Sequence, residues 1–407
     1  MGTNVVYYPK ECQGDTMKFT IKPIILALLL FPLSIVAQES QLVVTHGPYL
    51  QELSVDGVTV LWTTNSPCVG RVEYGSGESF QMAQSVRHGL VNANTTNHAV
   101  RITGLKPGQK YQYRLVSTDI VKFGAYNTTL GKTDTSPTYS FSTLNPIPSE
   151  FSFVVTQDIH SQAEKYTSLL DKVNVETAEF VVLNGDIDND PIEESQIYSG
   201  HLDISVQRFA KEKPFLLVTG NHETRGAFAR KLFDLYPHTS GRQYYSFVHG
   251  GVYFMILASG EDKPDDHPVY AGLNAFDDYR AEQAAWIAQE LQSRAAMSAR
   301  YRIVFTHIPA YIDFKEAEGR TSQGYTVAKL REIWAPLFIS GKVDLVISGH
   351  NHRHSWGAPN PDKGDYALLI GSNQEIETIK IKENAIEIEV QSLAGDSKNY
   401  QVPRRIQ

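Results

Sequence analysis

Eight side chains able to bind a metal ion or move a proton fall in five short stretches of the chain. They are Asp158 and His160 in QDIH, Asp186 in NGD, Asn221 and His222 in GNHE, His307 in FTHIP, and His350 with His352 in GHNH. Carboxylate and amide oxygens mixed with imidazole nitrogens suit manganese, iron or zinc better than calcium or magnesium. No thiolates of a structural zinc site accompany them. A single histidine of this kind is an ordinary core or surface residue. Here five of the thirteen histidines, two aspartates and one asparagine share one kind of position.

That position is the end of an apolar run of strand length. FSFVV precedes Asp158, FVVL precedes Asp186, FLLV precedes Asn221, RIVF precedes His307 and DLVI precedes His350. Such runs predict short strands buried on both faces. In an open α/β sheet the crevice lies beyond the carboxyl ends of the strands, so five endings can converge on one place. Asp186, closing the most apolar run, is the residue around which the others are organised. Side chains two apart share a face of a strand, and a turn at Gly349 is expected to swing His350 and His352 together into the cleft. The runs alternate with helical stretches such as EKYTSLLDKV, DDYRAEQAAWIAQELQSR and VAKLREIWAPLF, which predicts a layered α/β domain. On the second of these, Ala284, Ile287 and Leu291 make an apolar stripe with Trp286 beside it, expected to pack into the core.

The half before this domain has a different texture. From Gln41 to about Ser142, short alternating segments (VTVLWTT, GRVEYG, HAVRITGL, KYQYRLVS) separated by turn residues predict a β-sandwich. Asp119 to Pro137 is expected as a long hairpin. LNPIPSE, with two prolines, separates the halves. The expected organisation is 1–37 upstream extension and signal peptide, 38–145 sandwich, 146–150 linker, 151–395 catalytic domain and 396–407 tail. Lys18 and Lys22 ahead of the apolar run Ile24 to Val36 have the layout of a signal peptide cleaved after Ala37, so a periplasmic or secreted protein without a membrane anchor is expected. Its removal would take three lysines (10, 18, 22), Glu11 and Asp15, leaving 34 basic against 43 acidic residues. Such an acidic chain without basic runs offers no nucleic-acid-binding surface. Cys12 would leave with the presequence and Cys68 would stay as a small buried residue, which rules out an internal disulfide.

Two resemblances follow from these residues. Leu105, Pro107 and Tyr111, just before a strand, with Trp62 on an early strand, resemble the tyrosine corner of a fibronectin type III fold placed as in the N-terminal domain of purple acid phosphatases. The ordered D-x-H, GD, GNH, lone H and GHxH motifs from Phe151 to His352 resemble the calcineurin-like metallophosphoesterases. Together they imply an all-β fibronectin type III-like sandwich followed by a layered α/β (αββα) metallophosphoesterase domain. The second resemblance implies a centre of two divalent or mixed-valence transition-metal ions (iron, manganese or zinc). One ion would be held by Asp158, His160, Asp186 and His352, the other by Asp186, Asn221, His307 and His350. A bridging hydroxide would attack the ester directly, and His222 would serve the leaving group. His201, His354 and Asn189 are candidate substrate contacts. The purple enzymes carry glycine and tyrosine where this chain has His160 and Asn189, so metal identity and acid-phosphatase specificity do not transfer with the fold.

The expected activity is hydrolysis of phosphate monoesters. A phosphodiesterase on the same centre is the alternative within the class. Outside it stands an inactive protein that binds a glycan or a partner through the sandwich.

Overall fold

The computed structural model describes residues 41–147, 149–310, 324–359 and 366–405. The expected signal peptide lies outside them. Leu42–Gln407 form one compact unit, and among the described residues no helix is long and apolar enough to cross a membrane.

The five apolar runs are strands, as their β-branched and aromatic content requires. Phe151–Thr156, Val181–Asn184 and Phe215–Val218 lie parallel and adjacent in one six-stranded sheet. Tyr301–Thr306 and Leu345–Ser348 lie parallel in a second. The sheets pack face to face over one apolar layer that includes Phe153, Val182, Phe254, Phe305 and Leu345. Their outer faces are covered by helices, among them Ala163–Leu170 on one side and Phe276–Glu290 on the other. Ile287 and Leu291 are buried there, with Ala284 and Trp286 packed against the same cluster. This is the αββα arrangement. It brings strand ends from two different sheets to one edge of the molecule.

The first sheet is completed by antiparallel strands from late in the chain. Glu375–Ile381 pairs with Phe151–Thr156, Ala385–Ser392 follows, and Ser397–Pro403 closes the edge. The last of these corrects the expected tail: alternate residues from Ser397 carry no apolar run, yet Val402 is buried and the whole segment pairs in register with Ala385–Ser392. Backbone hydrogen bonding to the existing edge fixes this mostly polar strand together with Tyr400 and Val402, which pack on the central layer.

In the N-terminal half one long strand, Val58–Gly75, serves two layers. Its first part pairs with Val44–Gln51 and Thr95–Ile102, and beyond a register shift after Thr63 it pairs with Lys110–Lys122. A bulge of this kind bends a strand from one layer of a sandwich into the other. Trp62 is buried at that bend, its Nε1 donating to Ser117 Oγ at 3.2 Å. Tyr111 closes the expected corner, its hydroxyl accepting from the Lys106 amide at 2.9 Å. Lys110–Lys122 and Thr129–Thr135 form the long hairpin. The halves do not hang on a free linker: Tyr49 donates to the Leu235 carbonyl at 2.9 Å, and His46 stacks on Tyr198 with ring centres 3.7 Å apart.

Phe153 shows how tightly the central layer is built. It is fully buried, stacked on Phe180 at 4.9 Å and edge-on to Phe254 and Phe305. Phe153→Ala should therefore cost about 3–5 kcal/mol of folding stability, read as a lower urea midpoint at unchanged slope. A loss below about 1 kcal/mol would mean that the layer collapses around the gap.

Candidate metal centre

Five strands deliver the polar residues within four residues of their carboxyl ends, and the backbone there is bent to aim them. Asp158, His160, Asp186, His350 and His352 all have positive φ, between 51° and 73°. For residues other than glycine such geometry costs on the order of 1–3 kcal/mol each and persists only where the surroundings enforce it. Gly349 does not supply the expected turn. His350 and His352 take the left-handed conformation themselves, whereas a Cβ on Gly349 would stand 2.8 Å from Asp158 Oδ2.

The side chains meet in two groups that share Asp186. Asp158, His160, Asp186 and His352 bring one donor atom each within 4.8 Å of one another, and Asp186, His307 and His350 do the same. Asn221 joins the second group, its Oδ1 lying 2.9 Å from His350 Nδ1. His307 Nε2 is 3.0 Å from Asp186 Oδ2 and 3.8 Å from Asp158 Oδ1. Its other nitrogen donates to the Asn184 carbonyl at 2.8 Å, which fixes the tautomer that turns Nε2 toward the carboxylates. The His350 amide donates to the Asp158 carboxylate at 3.0 Å. Asp158 and His307 are inaccessible, whereas the His352 side chain is 44% exposed, so the groups open to solvent on its side.

The chemistry of these donors fits cations. His160 Nε2 and His352 Nε2 face each other at 2.9 Å, so two nitrogen atoms of ligand type converge on one point beside the carboxylates. The buried Nε2 atom of His350 has no hydrogen-bond partner. Two buried carboxylates also stand side by side. Burial pushes Asp158 up; on Asp186 the same burial is outweighed by the His307, His222 and His350 rings, which hold it low. Burial pulls His160 and His350 down to about 4, so both are neutral and ready to ligate at neutral pH. Burial acts the same way on His307, but the Asp186 and Asp158 carboxylates override it and take that ring up to about 10. A metal-free His307 thus keeps a proton where positive charge is needed.

Two residues that the motifs did not single out complete the frame. Glu223, fully buried, accepts four backbone N–H bonds: from Asp186 (2.9 Å), Ile187 (2.7 Å), Asp188 (2.9 Å) and Gly220 (2.8 Å). It ties the Asp186 loop to the Asn221 loop. Asp190 Oδ1 lies 3.0 Å from His222 Nδ1 and so keeps Nε2, 4.0 Å from Asp186 Oδ2, toward the centre. The acidic residues in GNHE and in the D-x-D-x-D run after Gly185 were the available signals.

The expected substrate contacts fare differently. Asn189 is exposed beside the Asp186 loop. His201 is corrected: it is fully buried, with Nε2 2.7 Å from the Tyr236 hydroxyl and Nδ1 3.1 Å from Asp188 Oδ1, so it braces the loop from behind. His354 is corrected too, since Glu375 and the Tyr400 hydroxyl occupy its two nitrogens at 2.8 Å each.

With this geometry in view, comparison with known proteins is informative. Residues 151–354 match the family model described as calcineurin-like phosphoesterase, and 49–143 match the purple acid phosphatase N-terminal domain. A serine/threonine-protein phosphatase CPPED1 from Pongo abelii is 28% identical over 145 residues, 35% of this chain and 43% of that protein. Purple acid phosphatase 22 of Arabidopsis thaliana is 25% identical over 233 residues, 54% of this chain and 48% of that one. The chain thus spans about half or less of these relatives' lengths. The purple acid phosphatase PPD1 from yellow lupin (Lupinus luteus) has the same fold, with a TM-score of 0.62 at 14% identity over 88% of this chain and 74% of its own.

Two outcomes follow from the site. Metal must displace the His307 proton, so apparent affinity should rise up to about tenfold per pH unit through the neutral range and level off near 10. Calorimetry in buffers of different ionisation heat should count about one proton released per chain; uptake without proton release would contradict the charge arrangement. Glu223→Gln, which sets an amide N–H₂ against two of the four donors, should weaken metal binding about 10- to 100-fold, measured by chelator competition, and an unchanged affinity would show that the loops hold themselves.

Proposed function

The chain belongs to the calcineurin-like phosphoesterases, and on that premise we propose that it is an exported, metal-dependent phosphatase acting on phosphate monoesters. The observation that carries the reading is the sharing of Asp186 by two groups of ligand-type donors. Asp158, His160, Asp186 and His352 would hold one ion, and Asp186, Asn221, His307 and His350 a second. Nitrogen and oxygen donors of this mixture suit iron, manganese or zinc. Bound there, such ions supply Lewis acidity and a water activated near neutral pH.

The chain's own residues do the rest. His307, its tautomer fixed by the Asn184 carbonyl, and Asp158, held by the His350 amide, keep their donors aimed without rearrangement. His222 lies beside the cluster without being needed in it. Its backbone N–H donates to Asp186 Oδ1 at 2.9 Å, and its ring, set against the Asp190 carboxylate, turns Nε2 to the side from which a leaving group departs. It is the residue that gives the leaving oxygen a proton. Asn189 stands at the exposed edge where a substrate enters. Export rests on the charged and then apolar stretch from Lys18 to Val36, and N-terminal sequencing of the mature protein tests it.

The deciding experiment is turnover of a panel of phosphate mono- and diesters by protein loaded with iron, manganese or zinc. Metal-replete protein that cleaves no ester would leave a binding protein instead. Within the reading, His222→Ala should keep both metals and lose roughly 10²- to 10⁴-fold on an alkyl phosphate, but far less on nitrophenyl phosphate, whose phenolate leaves unaided. The slope of rate against leaving-group pKa should steepen in the variant; an equal loss on both substrates would remove His222 from proton transfer.

A further inference from the structure

Arg225, three residues beyond His222, has no part in the reaction described above. Its guanidinium is fixed on one side. Nε lies 2.9 Å from Glu261 Oε1 and Nη2 2.9 Å from Glu261 Oε2, fork to fork, and Nη2 is also 3.2 Å from Asp262 Oδ1. Glu261 is buried and is itself held by the Tyr270 hydroxyl at 2.8 Å and the Thr224 hydroxyl at 3.2 Å. The fork is therefore rigid.

Nη1 is the one nitrogen of that guanidinium without a carboxylate in hydrogen-bond reach, the nearest being Asp190 Oδ1 at 3.9 Å. It points instead at His222 Nε2, 3.2 Å away, the atom that faces Asp186. Nη1 carries two N–H groups, so with one turned to His222 the other is left beside the cluster with no carboxylate in reach. The neighbouring lysines are already engaged, Lys263 Nζ lying 2.7 Å from Asp262 Oδ1 and Lys165 Nζ donating to the Asp158 carbonyl at 2.8 Å.

We infer that Arg225 Nη1 binds a non-bridging oxygen of the substrate phosphoryl group and thereby favours monoesters over diesters. A monoester dianion presents three terminal oxygens sharing two charges. A diester has lost one of them to a carbon substituent and carries a single charge, so the charge-assisted bond is weaker and less often possible. Without the guanidinium, Glu261 would be left near the site without its cationic partner, and its charge repels a dianion more than a monoanion. Both effects act in one direction. This assignment rests on the phosphatase reading of the site and names the substrate class within it.

The test compares Arg225→Gln and Arg225→Lys with the parent, all metal-loaded and with metal content measured. Three quantities are read: kcat/KM for 4-nitrophenyl phosphate, kcat/KM for bis(4-nitrophenyl) phosphate, and the affinity for inorganic phosphate by calorimetry. The Gln variant should lose roughly 10- to 100-fold on the monoester, as expected for one hydrogen bond to a charged group, and several-fold less on the diester. Phosphate binding should weaken in parallel. The Lys variant, which keeps the charge but cannot grip Glu261 at two points while reaching the phosphoryl group, should shift the monoester-to-diester ratio in the same direction. That variant decides alone if the Gln variant loses metal or fold. A ratio unmoved in the metal-replete variants, with phosphate affinity unchanged, overturns the inference. A parent that binds phosphate through Arg225 but cleaves neither ester would overturn the phosphatase reading and leave this contact standing.

Discussion

Two carboxylates, Asp158 and Asp186, are buried next to each other at the edge where two sheets meet. Taking an isolated charge out of water costs far more than a single-domain fold can spare. Every feature of the surroundings answers that problem. Amide N–H groups from His222 and His350 donate to the two side chains, imidazoles close in from both sheets, and His307 is raised so far in pKa that it carries a proton of its own when no cation is present. The arrangement is incomplete as a set of protein groups alone. The orphaned Nε2 of His350 at the centre marks where the missing positive charge belongs.

Because the ligands come from two sheets, their mutual distances depend on how those sheets pack. The central layer of phenylalanines and aliphatic side chains sets that spacing, so the apolar core and the polar centre are one mechanical unit. The N-terminal half contributes from behind. Tyr49 reaches the Leu235 carbonyl, and the adjacent Tyr236 hydroxyl meets His201, whose other nitrogen stands beside Asp188 on the Asp186 loop. A continuous line of contacts therefore runs from the sandwich to the loop that carries the shared carboxylate. This gives the sandwich a structural role whether or not it recognises anything itself.

What the sequence revealed of this site followed from periodicity. Apolar runs breaking into Asp, Asn or His located the strands, their carboxyl ends and the convergent residues, because burial on both faces leaves few residue types to choose from. The residues it did not reveal act through long-range geometry. Glu223 looked like the tail of a motif, and only the folded chain shows four amides from two loops converging on it. Arg225 and Glu261 are 36 residues apart, and no local pattern pairs them. His201 and His354 were placed near the centre by position along the chain, but both spend their nitrogens on protein partners. The closing strand from Ser397 showed only Tyr400 and Val402 as apolar alternation, too short to mark a strand before the edge it joins is known.

The glycines of the three GD, GNH and GH motifs illustrate the difference between a local and a tertiary cause. Only Gly185 has a positive φ, so conformational freedom explains one of the three. The absence of a side chain explains all of them: a Cβ would stand 2.4 Å from the His307 ring at Gly185, 2.3 Å from Asp186 Oδ1 at Gly220 and 2.8 Å from Asp158 Oδ2 at Gly349. Each glycine abuts a residue of the centre that is brought by a different strand. The motifs are thus not merely turns that happen to end in a ligand. They are places where one strand end must come close enough to another's carboxylate or imidazole for a single small cation to be reached from both, and a methyl group is already too large for that approach.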